Sequence, residues 1–169
     1  MFELKPLSKE AIPAALAKAE RYRLLNEGEL AESICEDVLA AEPDNRQALV
    51  TMILAVTDQF RDARVSDHTA RARGLVERLT DEYERLYYGG IVCERRARAH
   101  VARCVPGGGP IAHDWFRDAM DLFERSMAVR PPGNDDAVLR WNACARTLTR
   151  HPELQARPGE PAPSLAPEW

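Results

Sequence analysis

The 169-residue, 19.0 kDa chain is 45% hydrophobic and 30% charged, with a formal net charge of −4 and a pI near 5.6. That balance fits one folded domain with a substantial core and is poorly suited to gripping a phosphate backbone, which argues against nucleic-acid binding. No run reaches the ~18 apolar residues of a membrane span, and Glu3, Lys5 and Pro6 interrupt any apolar leader, so a cytoplasmic protein without a signal peptide is expected.

Apolar residues recur with helical period at Ile12, Ala15, Leu16, Ala19, Tyr22 and Leu25, predicting a first helix over about 12–26. Pro13 falls in its opening turn, where the missing N–H has no intrahelical partner. Asn26, Glu27 and Gly28 mark a tight turn, and Leu30, Ile34, Cys35, Val38 and Leu39 carry a second helix to Pro43, giving an antiparallel hairpin. Asp44 or Asn45 caps a third helix that is apolar almost all round from Ala48 to Val56, as a centrally packed helix is. A polar connection over 61–67 precedes a fourth helix from about His68 to Tyr83, with Leu75, Val76 and Leu79 facing inward. The stretch from Tyr87 to Cys93 leads into an arginine-rich fifth helix ending at Cys104, after which Val105, Pro106, three glycines and Pro110 break the chain. Trp115, Phe116, Ala119, Leu122, Phe123 and Ser126 line a sixth helix stopped by Pro131. Asn134 or Asp135 caps a seventh, carrying Val138, Trp141, Ala145 and Leu148, which covers the end of the stack. The expected organisation is a helical domain over 1–151 and a Pro-rich C-terminal tail over 152–169.

Two helices share a plan. Ala31, Cys35, Val38 and Pro43 stand at the same offsets as Ala119, Phe123, Ser126 and Pro131: a small residue, a packing residue four on, a small or β-branched residue three further, and a proline five beyond that. Ala72, Val76 and Leu79 repeat the first three places, with Glu84 where the proline would stand. This pattern resembles the second helix of the tetratricopeptide repeat, whose small residue lets two helices approach and whose proline ends the helix. The family's ~34-residue period is stretched here to 41 and 47 residues between Ala31, Ala72 and Ala119, with the extra residues falling in the loops between pairs, where insertion adds little loop-closure entropy. The first-helix half of the pattern is kept less well: Ala15 and Lys18 replace the usual tryptophan and leucine, and Glu94 occupies a small-residue place. The resemblance implies an all-α fold of antiparallel helix pairs stacked as a short right-handed α-solenoid, about three pairs plus a capping helix. It also implies a non-catalytic adaptor or scaffold that holds a partner protein in a concave groove, with no cofactor.

Residues 85–104 hold Arg85, Arg95, Arg96, Arg98 and Arg103 against Glu94 alone, a local +4 that leaves −8 on the rest of the chain. In proteins that this chain resembles, the first helix of each pair lines the groove. Carried over, the partner-binding residues are Arg23, Tyr88, Arg95 and Arg98, with guanidinium forks for an acidic segment and an aromatic contact. The family's carboxylate clamp is not reproduced, since Glu20 and Leu16 occupy two of its positions. Pro158, Pro161, Pro163 and Pro167 favour an extended tail, and Trp169 is a large apolar anchor for docking on this domain or on another chain.

The alternative function is an accessory or assembly protein that handles a metal or cofactor for a partner enzyme. Cys93, His100 and Cys104 share one side of the fifth helix, as zinc ligands would. The same stripe is the one a repeat helix buries, and seven residues separate ligands by ~10 Å, too far for one ion, so core packing is the expected role and no metal is assigned. The four cysteines lie far apart with no paired C-x-x-C spacing, which predicts reduced thiols. The glycine run lacks the Gly-Lys-Ser/Thr ending of a phosphate loop, and no Gly-x-Ser-x-Gly elbow occurs.

Overall fold

The computed structural model describes residues 2–60, 65–103 and 108–154, and the described residues form seven α-helices and no strand. These are α1 (Ile12–Leu24), α2 (Gly28–Ala41), α3 (Arg46–Asp58), α4 (Val65–Glu77), α5 (Glu82–Arg103), α6 (Gly108–Ala128) and α7 (Asp136–Arg150). A 3-10 turn precedes α1 (Lys9–Ala11) and another follows α7 (Pro152–Leu154). Successive helices pack as pairs, α1 with α2, α3 with α4 and α5 with α6, and α7 closes the stack against α6. Each pair also packs on the next, α2 on α3 and α4 on α5. In addition α1 packs on α3 and α3 on α5, while α4 meets α2 through Arg71 with Glu32 and Glu36 and meets α6 through Arg73 over the Trp115 ring. The first helices therefore form one row and the second helices another, joined by side-chain contacts, the arrangement of a short α-solenoid.

The repeat positions explain this packing. Ala31, Cys35, Val38, Ala72, Val76, Ala119, Phe123 and Ser126 are fully buried, and Leu79 nearly so. Gly90 on α5 lies so close to α6 that a Cβ there would come within 2.5 Å of Cε1 of Phe123. One apolar cluster joins α1 to α5 through Ala19, Ile53, Phe60, Val76 and Val92, and a second joins α5, α6 and α7 through Ile91, Cys93, Phe116, Phe123 and Cys144.

Turn chemistry sets the boundaries. Asn26 takes a positive φ of 62°, a left-handed conformation that asparagine tolerates, and Glu27 N–H bonds back to the carbonyl of Tyr22 to reverse the chain. Asn45, rather than Asp44, caps α3 by accepting from Ala48 N–H at 2.9 Å. Asn134 accepts from Asp136 N–H at 3.0 Å ahead of α7, where Asp135 makes no side-chain cap bond.

Three expectations are corrected. The fourth helix ends at Glu77 rather than Tyr83, because Asp81 accepts from Glu84 N–H at 2.8 Å and starts α5 there, so that Tyr83 belongs to α5. The glycines Gly89 and Gly90 lie inside α5 instead of leading into it. The glycine run does not keep the chain broken as far as Pro110, since Gly108 to Pro110 form the first turn of α6, where proline lacks no intrahelical bond. Cys104 lies outside the described residues, as does the tail from residue 155. Leu154 is buried against α6 and α7, and the carbonyl of Glu153 sits against Gly109 at the start of α6.

Candidate functional site

Two groups of ion pairs run along the inner row, α1, α3 and α5, and on to the closing helix α7. Asp58, at the end of α3, accepts from Nε of Arg23 on α1 at 2.9 Å and from Nη1 of Arg95 on α5. Arg95 Nη1 also donates to the Thr57 hydroxyl at 2.7 Å and to the carbonyl of Leu54 at 2.9 Å, which tethers α5 to the end of α3. Next to Arg95 on α5, the buried Glu94 accepts from Arg98 at 2.9 Å through one oxygen and from Arg140 of α7 at 3.3 Å through the other. Four guanidiniums thus share two carboxylates, and the ladder keeps two positive charges in excess.

Burial and neighbouring charges act in opposite senses on two of these arginines. Burial holds the Arg95 pKa below the ordinary arginine value, Asp58 works against that fall, and Arg23 and Arg140 reinforce it by repulsion. For Arg140 burial also disfavours the charge, but Glu94 and the Tyr87 hydroxyl outweigh it and the pKa rises.

An open cleft of about 500 Å³ lies over the ladder, lined by Arg23, Leu24 and Asn26 from α1 and its turn, Thr57, Asp58 and Phe60 from the end of α3, and Arg95, Arg98 and Ala99 from α5. Leu24 is 87% exposed and its neighbour Leu25 63%, so an apolar lip stands beside the charged floor. The cleft therefore offers guanidinium donors next to uncovered hydrocarbon, a combination that suits a carboxylate-bearing segment with an apolar neighbour.

Three of the residues expected at the groove, Arg23, Arg95 and Arg98, come together here. Tyr88 does not line the cleft. Its partly buried ring packs against both apolar clusters and edge-on to Tyr87 at 5.2 Å, and burial, with Glu84 nearby, pushes its hydroxyl up to about 12. Trp169 lies outside the described residues. Asp58, Glu94 in its pairing role and Arg140 were not singled out from the sequence. The available signal for Asp58 was a lone charge closing the otherwise apolar third helix.

The thiol and imidazole of the alternative site take a different course. Cys93 is buried beside Arg73 and its thiol is pushed up to about 12, chiefly by desolvation. His100 is partly buried, its Nε2 has no hydrogen-bond partner, and burial together with Arg96 and Arg103 lowers its pKa. Among the described residues no three His, Cys, Asp or Glu side chains are placed to hold a metal ion. Around Cys93 the α4–α5–α6 contact is instead an arginine–aromatic stack, with Arg73 and Arg96 over the Trp115 ring at 5.0 and 5.9 Å.

Fold and site together define a small helix-pair stack with a cationic cleft on its inner row. Compared with known proteins, the chain matches no family model, no curated protein and no solved structure. No helix among the described residues is long and apolar enough to cross a membrane.

Proposed function

We propose that the chain is a non-catalytic adaptor of tetratricopeptide-repeat type that captures an acidic segment of a partner protein, in the cytoplasm, along the inner helices α1, α3 and α5. The observation that carries this reading is the set of three guanidiniums, Arg23, Arg95 and Arg98, against one carboxylate, Asp58, in the lining of an open, apolar-lipped cleft. Preformed donors on packed helices lose little freedom on binding, so a few anchors suffice. No chemical step, cofactor or nucleic acid enters this function.

Arg95 is a poor residue to delete, because it holds the end of α3 as well as facing the cleft. Arg98 is 45% exposed at its side chain and is the better probe. A fluorescent dodecapeptide of alternating glutamate and leucine is titrated against the chain at low and high salt. Arg98→Ala weakens binding about tenfold, the worth of one charge-assisted hydrogen bond, and salt weakens it further. An Arg98→Ala chain that binds as tightly as the parent refutes the assignment.

A further inference from the structure

We infer that the cleft has a resident occupant, the chain's own C-terminal segment, residues 155–169, which lays glutamates on the ladder and an apolar side chain on the leucine lip. The inference rests on the reading of the cleft as a site for acidic segments.

Five observations point to this segment. Leu154 anchors the chain at the start of α6, only a short connection away from the end of α5, the helix that contributes Arg95, Arg98 and Ala99 to the cleft. Reach is ample, since fifteen extended residues span on the order of 45 Å, whereas Ala99 lies about one helical turn from Arg103, the last residue of α5, and the five chain steps from Arg103 to Gly108 separate α5 from α6 by at most ~19 Å. Charge is complementary, with Glu160 and Glu168 against Arg157 in the segment and two surplus guanidiniums on the ladder. Leu165 and Trp169 flank Glu168, which sets hydrocarbon beside carboxylate as Leu24 and Leu25 stand beside Arg23. The four prolines limit the freedom lost when the segment is seated.

Tethering gives the segment an effective concentration on the order of 1 mM. If the free segment binds at ~0.1 mM, the tether keeps the cleft about ten parts in eleven occupied, and an external ligand meets an apparent Kd roughly tenfold weaker. The cleft is then self-occluded, and a partner segment must outcompete the resident one.

The test uses a fluorescent synthetic peptide of residues 155–169, titrated against the full chain and against the full chain carrying Glu160→Gln, Glu168→Gln and Trp169→Ala. The peptide is expected to bind the substituted chain roughly tenfold more tightly, to lose binding to both when Arg98→Ala is added, and the intact chain is expected to sediment as a monomer from 1 to 100 µM. Equal affinity for the two chains overturns the inference. Concentration-dependent dimers of the intact chain that vanish with the triple substitution also overturn it, assigning the cleft to a second copy's segment. A peptide that fails to bind while the glutamate–leucine probe still does overturns the resident occupant and leaves the adaptor reading standing, whereas failure of both probes removes the two together.

Discussion

Replacing Glu94 by glutamine isolates what the second rung of the ladder contributes. The side chain is 2% exposed, and its two oxygens take Arg98 at 2.9 Å and Arg140 at 3.3 Å, the second contact joining α5 to α7. Breaking a buried pair from one side costs about 3–5 kcal/mol when the remaining charge is trapped. Here the partners left behind are 45% and 38% exposed and can turn to water, and glutamine keeps the volume and one acceptor, so about 2 kcal/mol is expected. For a chain of this length that lowers Tm by roughly 4–8 °C, measured by helical ellipticity on heating or by the urea midpoint. Arg140→Gln costs less, about 1 kcal/mol, because Glu94 keeps Arg98. The same Glu94→Gln change adds a third surplus charge to the ladder and tightens the glutamate–leucine probe. A Glu94→Gln chain as stable as the parent, or an Arg140→Gln chain that loses more than it, refutes the reasoning.

Two glycines that look alike in sequence are expected to respond in opposite directions. Gly90→Ala forces a methyl against the buried Phe123 ring, so overpacking of about 1–3 kcal/mol outweighs the ~1 kcal/mol helix gain and the urea midpoint falls. Gly74→Ala meets nothing within 4 Å on α4 and stabilises the chain by about 0.5–1 kcal/mol, which raises the midpoint; equal shifts of the same sign contradict the close α5–α6 approach. Asp118 supplies a pH test, since burial, helped by Asp114, pushes its carboxyl from 3.8 to about 6. Between those values the folded chain keeps a proton that the unfolded chain has released, so this site's stability is greatest below pH 4 and declines until about pH 6. Solvent screens part of the effect, leaving about 1 kcal/mol. Asp118→Asn should therefore equal or exceed the parent in urea midpoint at pH 8, with the gain gone near pH 4, and a less stable variant at pH 8 counts against the assigned shift.

Helices and their pairing were legible because each buried position leaves a mark at a fixed offset: Ala31, Cys35 and Val38 announce one packing stripe, and Ala119, Phe123 and Ser126 another. The α4–α5 boundary was not, since Leu79 and Tyr83 continue the apolar period across Asp81 and only that residue's bond to Glu84 N–H interrupts the helix. At the site, arginines on inner helices could be read, but their partners could not. Arg23 and Asp58 are 35 residues apart and Glu94 and Arg140 are 46 apart, and at such separations any carboxylate is as eligible as another. Spacing likewise put Tyr88 on the same side as Arg95 without revealing that a ring of that size packs between the clusters instead of facing a ligand.

Arg23 of the first helix pair and Arg140 of the closing helix both act by repulsion on Arg95 of the third pair. Packing thus holds like charges near one another, and a carboxylate bound among them would lower that repulsion. By linkage, a carboxylate bound there would also stabilise the packing of the helices that carry these charges, so occupancy of the cleft would register as a higher unfolding midpoint.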